Sequence, residues 1–183
     1  MKQGLLIVIS GPSGTGKGTV CRQLLKKEPL IKLSISATTR KPRVGEIDKK
    51  NYYFMDMPQF EKLIKNDELL EYASVYGNYY GTPKKYVVEE IQKGNHILLE
   101  IDIQGALQIK KKYPNGVFIF ILPPSMAELK HRIVGRGTET QEAIEKRYHS
   151  AFNEIISLKE YDYCIINDEV EHAVKKIQAV IKA

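Results

Sequence analysis

The sequence of 183 residues contains no tryptophan, only two cysteines and no long apolar run. Its longest apolar stretches, Leu5–Ile9 and Val117–Leu122, are far shorter than the ~18 residues of a membrane-spanning helix. The apolar residues near the start run into Ser10-Gly11, which does not form the apolar region and cleavage site of a signal peptide. We therefore expect a cytoplasmic protein with no membrane partner.

The two cysteines, Cys21 and Cys164, lie far apart and have none of the spacings typical of metal sites. Without a secretion signal, they predict free thiols in a reducing compartment. The chain is 43% hydrophobic and 27% charged, which is typical of a globular domain and argues against disorder or a coiled coil. At roughly 150 residues per domain, its length predicts one domain.

The formal net charge is +6, but the sequence has no basic tail. Its arginines recur instead in two local groups, Arg40 with Arg43, and Arg132 with Arg136 and Arg147. Such groups favour a small polyanion, for example a phosphorylated ligand, over a nucleic-acid duplex. We expect no nucleic-acid partner and no obligatory protein partner.

Short apolar strands alternate with amphipathic helices, which predicts an α/β fold with a doubly wound parallel sheet covered on both faces. The expected strands are Leu5–Ser10, His96–Ile101, Val117–Leu122 and Tyr163–Ile166. Helices are expected over 19–27, near 58–66, over 104–112, around 144–155 and around 173–181. Another is expected to end at Gly94 and to begin with Thr82 as its N-cap and Pro83 at its first position. A capping box at Ser125 predicts a further helix through Val134.

Two segments interrupt this alternation. Residues 34–82, rich in tyrosine, threonine and glycine, predict an inserted α+β unit. Residues 125–158 predict two charged helices joined by Gly135-Arg136-Gly137-Thr138. Both segments follow the ends of apolar strands, where ligand-binding segments of α/β folds lie.

The most informative stretch lies between the first strand and the first helix: Gly11-Pro12-Ser13-Gly14-Thr15-Gly16-Lys17-Gly18-Thr19. Glycines let the backbone turn its N–H groups toward a phosphate, and the helix N-terminus adds positive charge. Lys17 would then reach the β- and γ-phosphates. The alternative, a glycine-rich turn without a ligand, gives no reason for the lysine, and the glycine spacing differs from the dinucleotide fingerprint.

Gly18 stands where a phosphate loop usually has the serine or threonine that ligates Mg²⁺, and Thr19 comes one place later. No hydroxyl at position 18 can bind the metal. We therefore expect Mg²⁺ to be held through nucleotide oxygens and water, with no direct protein ligand. A Lys-Gly-Thr sequence also occurs in nucleoside monophosphate kinases, which narrows the class.

Residues of the first insertion could bind a second phosphorylated ligand. Arg40 and Arg43 are three apart and could grip one phosphate from two sides, and Tyr52 could add a hydrogen bond. A carboxylate such as Glu71 could accept from N1–H and the amino group of guanine, which adenine lacks on that edge. The alternative is that the tyrosines pack the insertion and the arginines form a solvated face.

Taken together, the sequence resembles guanylate kinase over nearly its whole length. Six segments carry the resemblance: Gly11–Thr19, Ser36–Glu46, Glu71–Thr82, Glu100–Gly105, Gly135–Thr140 and Asn167-Asp168. It implies a three-layer P-loop fold in which residues 1–183 form one domain. That domain would have a core of residues 1–33, 83–124 and 159–183, a GMP-binding segment of residues 34–82 and a lid of residues 125–158.

The resemblance also implies roles for individual residues. The residues implied to hold the GMP phosphate are Arg40, Arg43, Tyr52 and Tyr80, and those implied to read guanine are Ser36, Glu71 and Thr82. Asp102 would lie near the acceptor nucleotide and the metal waters, and Asn167 near adenine. The residues implied to neutralise the ATP phosphates are Lys17, Arg132, Arg136 and Arg147. The role of Glu100 stays open.

The implied reaction is ATP-dependent phosphorylation of GMP, and of dGMP, in purine nucleotide metabolism. Its nucleophile is a phosphate oxygen, so neither a serine nucleophile nor a histidine base is needed. Three alternatives stay open: an inactive domain that binds proteins through the GMP pocket, a P-loop kinase with another acceptor, and a nucleic-acid-stimulated NTPase. Lys17 argues against the first, Glu71 and Ser36 argue against the second, and only the net charge favours the third.

Overall fold

The structure is a computed structural model and describes residues 3–135 and 141–183. The described strands are β1 (Leu6–Ser10), β2 (Ile31–Leu33), β3 (Ala37–Thr38), β4 (Tyr53–Phe54), β5 (Leu69–Val75), β6 (Asn78–Pro83), β7 (His96–Glu100), β8 (Val117–Leu122) and β9 (Tyr163–Ile166). The described helices are α1 (Lys17–Lys27), α2 (Met57–Lys65), α3 (Lys84–Gln92), α4 (Ile103–Lys112), α5 (Met126–Val134), α6 (Gln141–Ile155) and α7 (Val170–Lys182), with a 3₁₀ helix at Ile156–Glu160.

Five parallel strands form the central sheet in the order β2-β7-β1-β8-β9. In β1, Ile9 lies opposite Glu100 of β7 on one side and opposite Ile119 of β8 on the other. The predicted α/β fold with a parallel sheet is therefore confirmed. Because the strands are parallel, the segments that follow β1, β7 and β8 all leave the same edge of the sheet, where α/β folds bind ligands.

Helices cover both faces of this sheet. Ile7 and Ile9 of β1 pack against α1 and α7, whereas Leu6 and Val8 of the same strand pack against α3 and α4. This burial on both faces explains why β1 is a continuous apolar run rather than an alternating one.

A second sheet, in the order β4-β3-β6-β5, is formed by strands between Ala37 and Pro83, where the sequence predicted an inserted α+β unit over residues 34–82. Helix α2 packs on it through Phe60, which lies in one buried cluster with Ala37 and Leu69. Helices α5 and α6 pack on each other around a small core formed by Leu129, Ile133, Ile144 and Ala151. The two insertions thus have apolar cores of their own, beside that of the central sheet.

The helix expected to start with Thr82 as N-cap starts later, so that prediction was wrong in detail. Strand β6 continues through Pro83, which is the N-cap of α3 and provides no side-chain cap. The Thr82 hydroxyl instead donates to Glu71 Oε1 at 2.6 Å. A threonine that bonds to a neighbouring strand cannot cap the helix, so a tertiary contact overrides the local pattern.

The capping box at Ser125 is only half formed. Ser125 Oγ accepts from the backbone N–H of Glu128 at 3.1 Å, as expected. The Glu128 carboxylate, however, accepts from Arg132 Nε at 2.7 Å.

The short edge strand β2 was not predicted from the sequence, because its three residues have too little apolar pattern to be recognised.

The two cysteines have the free thiols that the sequence predicted. Cys21 is buried in α1, Cys164 is exposed in β9, and both are free thiols. Across the part of the chain that the structure describes, no helix is both long and apolar enough to cross a bilayer.

Glu90 of α3 is a buried carboxylate at the edge of the central sheet. It accepts hydrogen bonds from Lys32 of β2, from Lys93 Nζ at 2.7 Å and from Asn95 Nδ2 at 2.7 Å. These donors, Lys32 first, lower the pKa of Glu90 to about 2.

We predict that Glu90→Gln lowers the free energy of unfolding at neutral pH. The pKa of Glu90 in the folded chain lies below its ordinary value of ~4.3. The stabilisation is therefore complete above that ordinary value and is lost as the pH falls toward the folded value. Urea denaturation from pH 7 to pH 3 should show the difference from wild type shrinking. Glu89→Gln, at an exposed neighbour, is the control; equal stability of Glu90→Gln and wild type at pH 7 would contradict the prediction.

Candidate active site

The loop between β1 and α1 folds around the Lys17 side chain. Lys17 Nζ donates to the backbone oxygens of Gly11 at 2.6 Å and Pro12 at 2.8 Å. The Thr15 hydroxyl also donates to Pro12 O, at 3.0 Å. The six loop residues 11–16 and the start of α1 thus place the ammonium group at the wall of a cleft beyond the end of β1. This is the local geometry that a phosphate-binding loop needs.

Asn167 fastens this loop from behind. It follows β9, is buried, and donates from Nδ2 to Thr15 O at 2.8 Å. Its own backbone oxygen accepts from both Nη1 and Nη2 of Arg132, each at 3.3 Å. The side chain therefore supports the loop, while the role near adenine stays a prediction. Elsewhere in the loop, the space beside Gly14 is closed by Ile133 and Leu129 of α5.

One cleft of about 520 Å³ is lined by ten of the predicted site residues. The predicted residues that line it are Gly11, Ser13, Lys17, Ser36, Arg43, Tyr52, Glu71, Tyr80, Asp102 and Arg147. They come from the ends of β1 and β7, from the second sheet and from α6. The cleft therefore joins the phosphate loop to both insertions.

Other predicted residues lie beside the cleft. Thr82 is behind Glu71, and Arg132 is against Asn167. Arg40 does not line the cleft itself, but it lies behind Tyr52, which does. Its guanidinium carbon is 5.3 Å from the centre of the Tyr52 ring. Arg136 was predicted to contact the ATP phosphates and lies outside the described residues.

Arg40 is held in a fixed position by Glu46. Its Nη1 and Nη2 donate to the two Glu46 carboxylate oxygens, each at 2.9 Å, and Nη1 also donates to Lys41 O at 2.8 Å. Glu46 Oε2 accepts the backbone N–H of Arg43 at 2.7 Å as well. This pairing lowers the pKa of Glu46 and raises that of Arg40. A bidentate pair of this kind orients the guanidinium plane and the start of the Arg43 loop together.

Glu71 is the most unusual ionisable group of the cleft. Its side chain is almost fully buried on β5, and Oε1 accepts from Thr82. Oε2 has no hydrogen-bond partner within residues 3–135 and 141–183. Burial raises the pKa of Glu71 to about 7, against the opposing effect of the Thr82 hydroxyl. A buried oxygen without a partner is costly unless a ligand supplies a donor.

Gly105 leaves the space that the Glu71 carboxylate occupies. A Cβ at position 105 would overlap Glu71 Oε2 and lie 2.8 Å from Cδ. Gly105 is in the first turn of α4, whose N-cap is Asp102; Asp102 Oδ1 accepts the N–H groups of Gln104 at 2.8 Å and Gly105 at 3.2 Å. The glycine therefore permits the close approach of β5 to the start of α4.

Glu100 ends β7 and points toward the start of α1. A Cβ at Gly18 would lie 3.3 Å from Glu100 Oε1, so the carboxylate borders the place where a phosphate loop usually carries a hydroxyl. Burial raises the pKa of Glu100, and Lys17 opposes the rise. Burial likewise raises the pKa of Asp102. These carboxylates face the phosphate loop from the neighbouring strand.

The site also fits a metal held mainly by its ligand. In the described ranges, 3–135 and 141–183, no group of three or more His, Cys, Asp or Glu side chains could hold a metal ion. One or two carboxylates beside a phosphate loop is what Mg²⁺ requires when it keeps several waters and binds nucleotide phosphates. Glu100 and Asp102 are carboxylates of the cleft that lie at and just beyond the end of β7, beside this loop.

Helix α6 forms the opposite wall of the cleft with Arg147, Ser150 and Glu154. The guanidinium carbon of Arg147 lies 5.3 Å from the ring centre of Tyr76, across the cleft. Ser150 Oγ donates to Glu154 Oε1 at 2.7 Å. The wall formed by α6 is therefore polar and contributes charge of both signs.

A family model described as guanylate kinase matches residues 3–183. The chain belongs to the guanylate kinase family. A guanylate kinase of Caldanaerobacter subterraneus subsp. tengcongensis is 59% identical over 182 residues, which cover 100% of this chain and 88% of that protein. A guanylate kinase of Clostridium tetani is 59% identical over 183 residues, with 100% and 88% covered.

A solved structure gives the same result. The crystal structure of guanylate kinase from Anaplasma phagocytophilum superposes with a TM-score of 0.84 at 36% identity, covering 100% of this chain and 86% of that one. The predicted resemblance to guanylate kinase and the predicted class of enzyme, a nucleoside monophosphate kinase, are thereby confirmed.

Some residues of the cleft were not assigned from the sequence. Glu46, Gly105 and Tyr76 lay inside recognised segments but carried no predicted role, and Glu154 was not considered. The contacts of the first three residues with Arg40, Glu71 and Arg147 are visible only in the structure. In the sequence, the available signals were the segments Ser36–Glu46, Glu71–Thr82 and Glu100–Gly105.

We predict that the Glu71 carboxyl titrates near pH 7 and that Thr82→Val raises its pKa further, because the hydroxyl that stabilises the carboxylate is removed. Carbon-13 NMR of the side-chain carboxyl, followed against pH, measures both values. Thr38→Val removes another buried hydroxyl of the same sheet, which bonds to Tyr79 O, and should leave the titration unchanged. An ordinary pKa near ~4.3 in the wild-type chain would refute this description of Glu71.

Proposed function

We propose that this chain is a guanylate kinase that transfers the terminal phosphoryl group of ATP to the phosphate of GMP or dGMP. One observation carries the proposal: a single cleft contains Lys17 of the phosphate loop and the buried Glu71 carboxylate. The first suits a nucleoside triphosphate, and the second suits a base that offers hydrogen-bond donors. Two nucleotides bound there would have their phosphates facing each other.

The phosphate loop and the lid would neutralise the ATP phosphates. The backbone N–H groups of residues 11–19 would surround the phosphates, and Lys17 would exchange its carbonyl partners for phosphate oxygens. Arg147 reaches the cleft from α6, and Arg132 lies beside the loop through its contact with Asn167. Phosphoryl transfer depends on such convergent positive charge more than on covalent chemistry, and cationic groups of this kind contribute about 10³–10⁵ in rate.

Mg²⁺ would be held through ATP phosphates and water, with Glu100 and Asp102 on the neighbouring strand end. When bound, it would neutralise the charge of the transferred group and orient it. The absence of a hydroxyl at Gly18 agrees with indirect binding.

The GMP-binding segment would hold the acceptor phosphate through Arg43, Tyr52 and Tyr80, which line the cleft. Arg40, fixed by Glu46, would complete this group beside Tyr52. The attacking oxygen belongs to a phosphate that is already anionic. The chain therefore needs to bring two polyanions into line, and no general base is required.

Guanine would be read mainly by Glu71. Oε1 already accepts from Thr82, so Oε2 and the remaining lone pairs can accept N1–H and the exocyclic amino group, with Ser36 nearby. Adenine offers neither donor on that edge and would leave the buried carboxylate unsatisfied. Unpaired buried polar groups are an effective basis for rejecting a wrong substrate.

We further propose that three parts of the chain have the separate roles expected from the sequence. Residues 1–33, 83–124 and 159–183 form the core, residues 34–82 bind GMP, and residues 125–158 form the lid. The end of β6 at Pro83 supports a boundary between segment and core near this residue. Water, the competing acceptor, would be excluded when both insertions contact their nucleotides.

We predict that Lys17→Met lowers kcat for GMP phosphorylation by at least about 10³, since the variant loses the charge nearest the transferred group. A coupled assay of ADP release at saturating nucleotides measures the effect. Lys111→Met changes an exposed lysine of α4 in the same way and should retain wild-type turnover. Turnover in the Lys17→Met variant within tenfold of wild type would refute the role of the loop.

We predict that Gly105→Ala raises KM for GMP by about 10- to 100-fold, because the new methyl group displaces the Glu71 carboxylate. Alanine favours a helix, so α4 should stay folded, as circular dichroism and thermal unfolding can show. The same assay with AMP and UMP tests the base assignment. An unchanged KM for GMP in the variant, or a wild-type preference for AMP, would show that Glu71 does not read guanine.

A further inference from the structure

Glu71 is a buried carboxyl group that borders the cleft with one oxygen unused. The residue lines the cleft and is 2% exposed. Oε1 accepts from the Thr82 hydroxyl at 2.6 Å, and Oε2 has no hydrogen-bond partner within residues 3–135 and 141–183. Gly105 leaves the space for Oε2, because a Cβ at that position would overlap it. Oε2 is thus left for a partner outside the described part of the chain.

A second buried carboxyl group shows how different these surroundings are. Glu90 accepts from two lysines, Lys32 and Lys93, and from Asn95. These donors, Lys32 first, lower the pKa of Glu90 to about 2, so it is a carboxylate at any pH near neutrality. Glu71 accepts instead from a neutral hydroxyl, which can donate to a carboxylate or to the carbonyl oxygen of a carboxylic acid. The surroundings of Glu71 therefore permit both protonation states.

The groups that act on Glu71 come from the two elements packed against β5, which are β6 and α4. Burial raises the pKa of Glu71 to about 7, and the hydroxyl of Thr82 on β6 opposes the rise. From the N-terminus of α4, Asp102 disfavours the charged form, whereas Lys112 near the other end of that helix favours it. Tyr80 of β6 lines the same cleft. Carboxylate and carboxylic acid are therefore both populated near neutral pH.

The two protonation states suit different base edges. A carboxylate has two acceptor oxygens and can accept both N1–H and the exocyclic amino group of guanine. A carboxylic acid keeps one acceptor and gains one O–H donor, so it pairs with an edge that presents an acceptor beside a donor. Hypoxanthine, which lacks the amino group, presents such an edge with O6 and N1–H. Guanine presents the same pair, but its amino group is then left without an acceptor.

We propose that Glu71 gives the base pocket two selectivities: as a carboxylate it prefers guanine, and as a carboxylic acid it accepts hypoxanthine about as well. The acceptor substrates then include inosine monophosphate (IMP) at mildly acidic pH. This rests on the proposed function, because it takes Glu71 to contact the base of the phosphoryl acceptor. The unpartnered Oε2 is the atom that would either accept from the guanine amino group or carry the proton.

Steady-state phosphorylation of GMP and of IMP by the full-length chain, between pH 5.5 and pH 8, tests the proposal. The measured quantity is the ratio of kcat/KM for GMP to kcat/KM for IMP, because kcat/KM reports ionisation of the free enzyme. Both substrates carry the same ribose phosphate, so titration of that phosphate cancels in the ratio. The other charged residues of the cleft act on both substrates alike: Lys17, Arg43, Glu100, Asp102, Arg147 and Glu154.

We expect the ratio to fall by about 5- to 10-fold from pH 8 to pH 6 in the wild-type chain, because a group with a pKa of about 7 changes from mostly ionised to mostly protonated over this range. Glu71→Gln puts an amide, which has both an acceptor and a donor, in place of the acid. Its ratio should be low and independent of pH.

Two threonine variants test whether the hydroxyl next to Glu71 sets the pH at which the ratio changes. Thr82→Val removes the hydroxyl that favours the carboxylate and should move the fall to higher pH. Thr38→Val removes another buried hydroxyl of the same sheet and should keep the wild-type ratio at each pH. Thermal unfolding at pH 6 and pH 8 monitors the fold of every variant.

Other outcomes would overturn the proposal. A wild-type ratio that does not change with pH would do so, and so would an equal fall in Glu71→Gln. If IMP is not phosphorylated, its inhibition constant against GMP replaces kcat/KM in the comparison, and no inhibition at pH 6 would count against the proposal in the same way. Failure of the proposed function is distinct, because the wild-type chain would then phosphorylate GMP at no pH. GMP phosphorylation with a constant ratio refutes the proposal alone.

Discussion

The parallel pairing of β1 with β7 is the constraint on which the rest of the site depends. Ile9 lies opposite Glu100, so the phosphate loop after β1 and the carboxylates at the end of β7 leave the sheet side by side. Lys17, Glu100 and Asp102 are brought together by this register rather than by proximity along the chain. The two faces of β1 fill different clusters, so a slip of one residue would exchange the side chains that pack in each.

Contacts within the chain itself organise the charge in the cleft. On the acceptor side, Glu46 orients Arg40 and receives the backbone of Arg43. On the base side, the structure keeps one oxygen of Glu71 buried without a partner among the described residues, which is unfavourable for the chain alone. In the proposed function, the same feature would make the site selective, since a ligand with the right donors removes the cost and a ligand without them does not. Stability and specificity would then be opposed at one carboxylate.

Prediction from the sequence succeeded where the signal was local. Apolar runs predict the strand Val117–Leu122. Glycines and helix termini predict the helix that ends at Lys27 and the loop that joins this helix to β1. The prediction failed at Thr82, where a cap-like residue serves a neighbouring strand instead. The short strand β2 was missed because its position is decided by pairing with β7. A cap-like residue beside a proline marks the start of a helix only when no distant group takes its side-chain hydrogen bond.

The sequence by itself determined the phosphate loop, the alternating α/β architecture and the family, because each rests on neighbouring residues or on segments in a recognisable order. Only the tertiary structure decided which side chains meet. Gly105 faces Glu71 across 34 positions and Tyr76 faces Arg147 across 71, so these pairs depend on how two insertions fold over one sheet edge. No local pattern encodes such contacts, since they arise from the packing of separate layers.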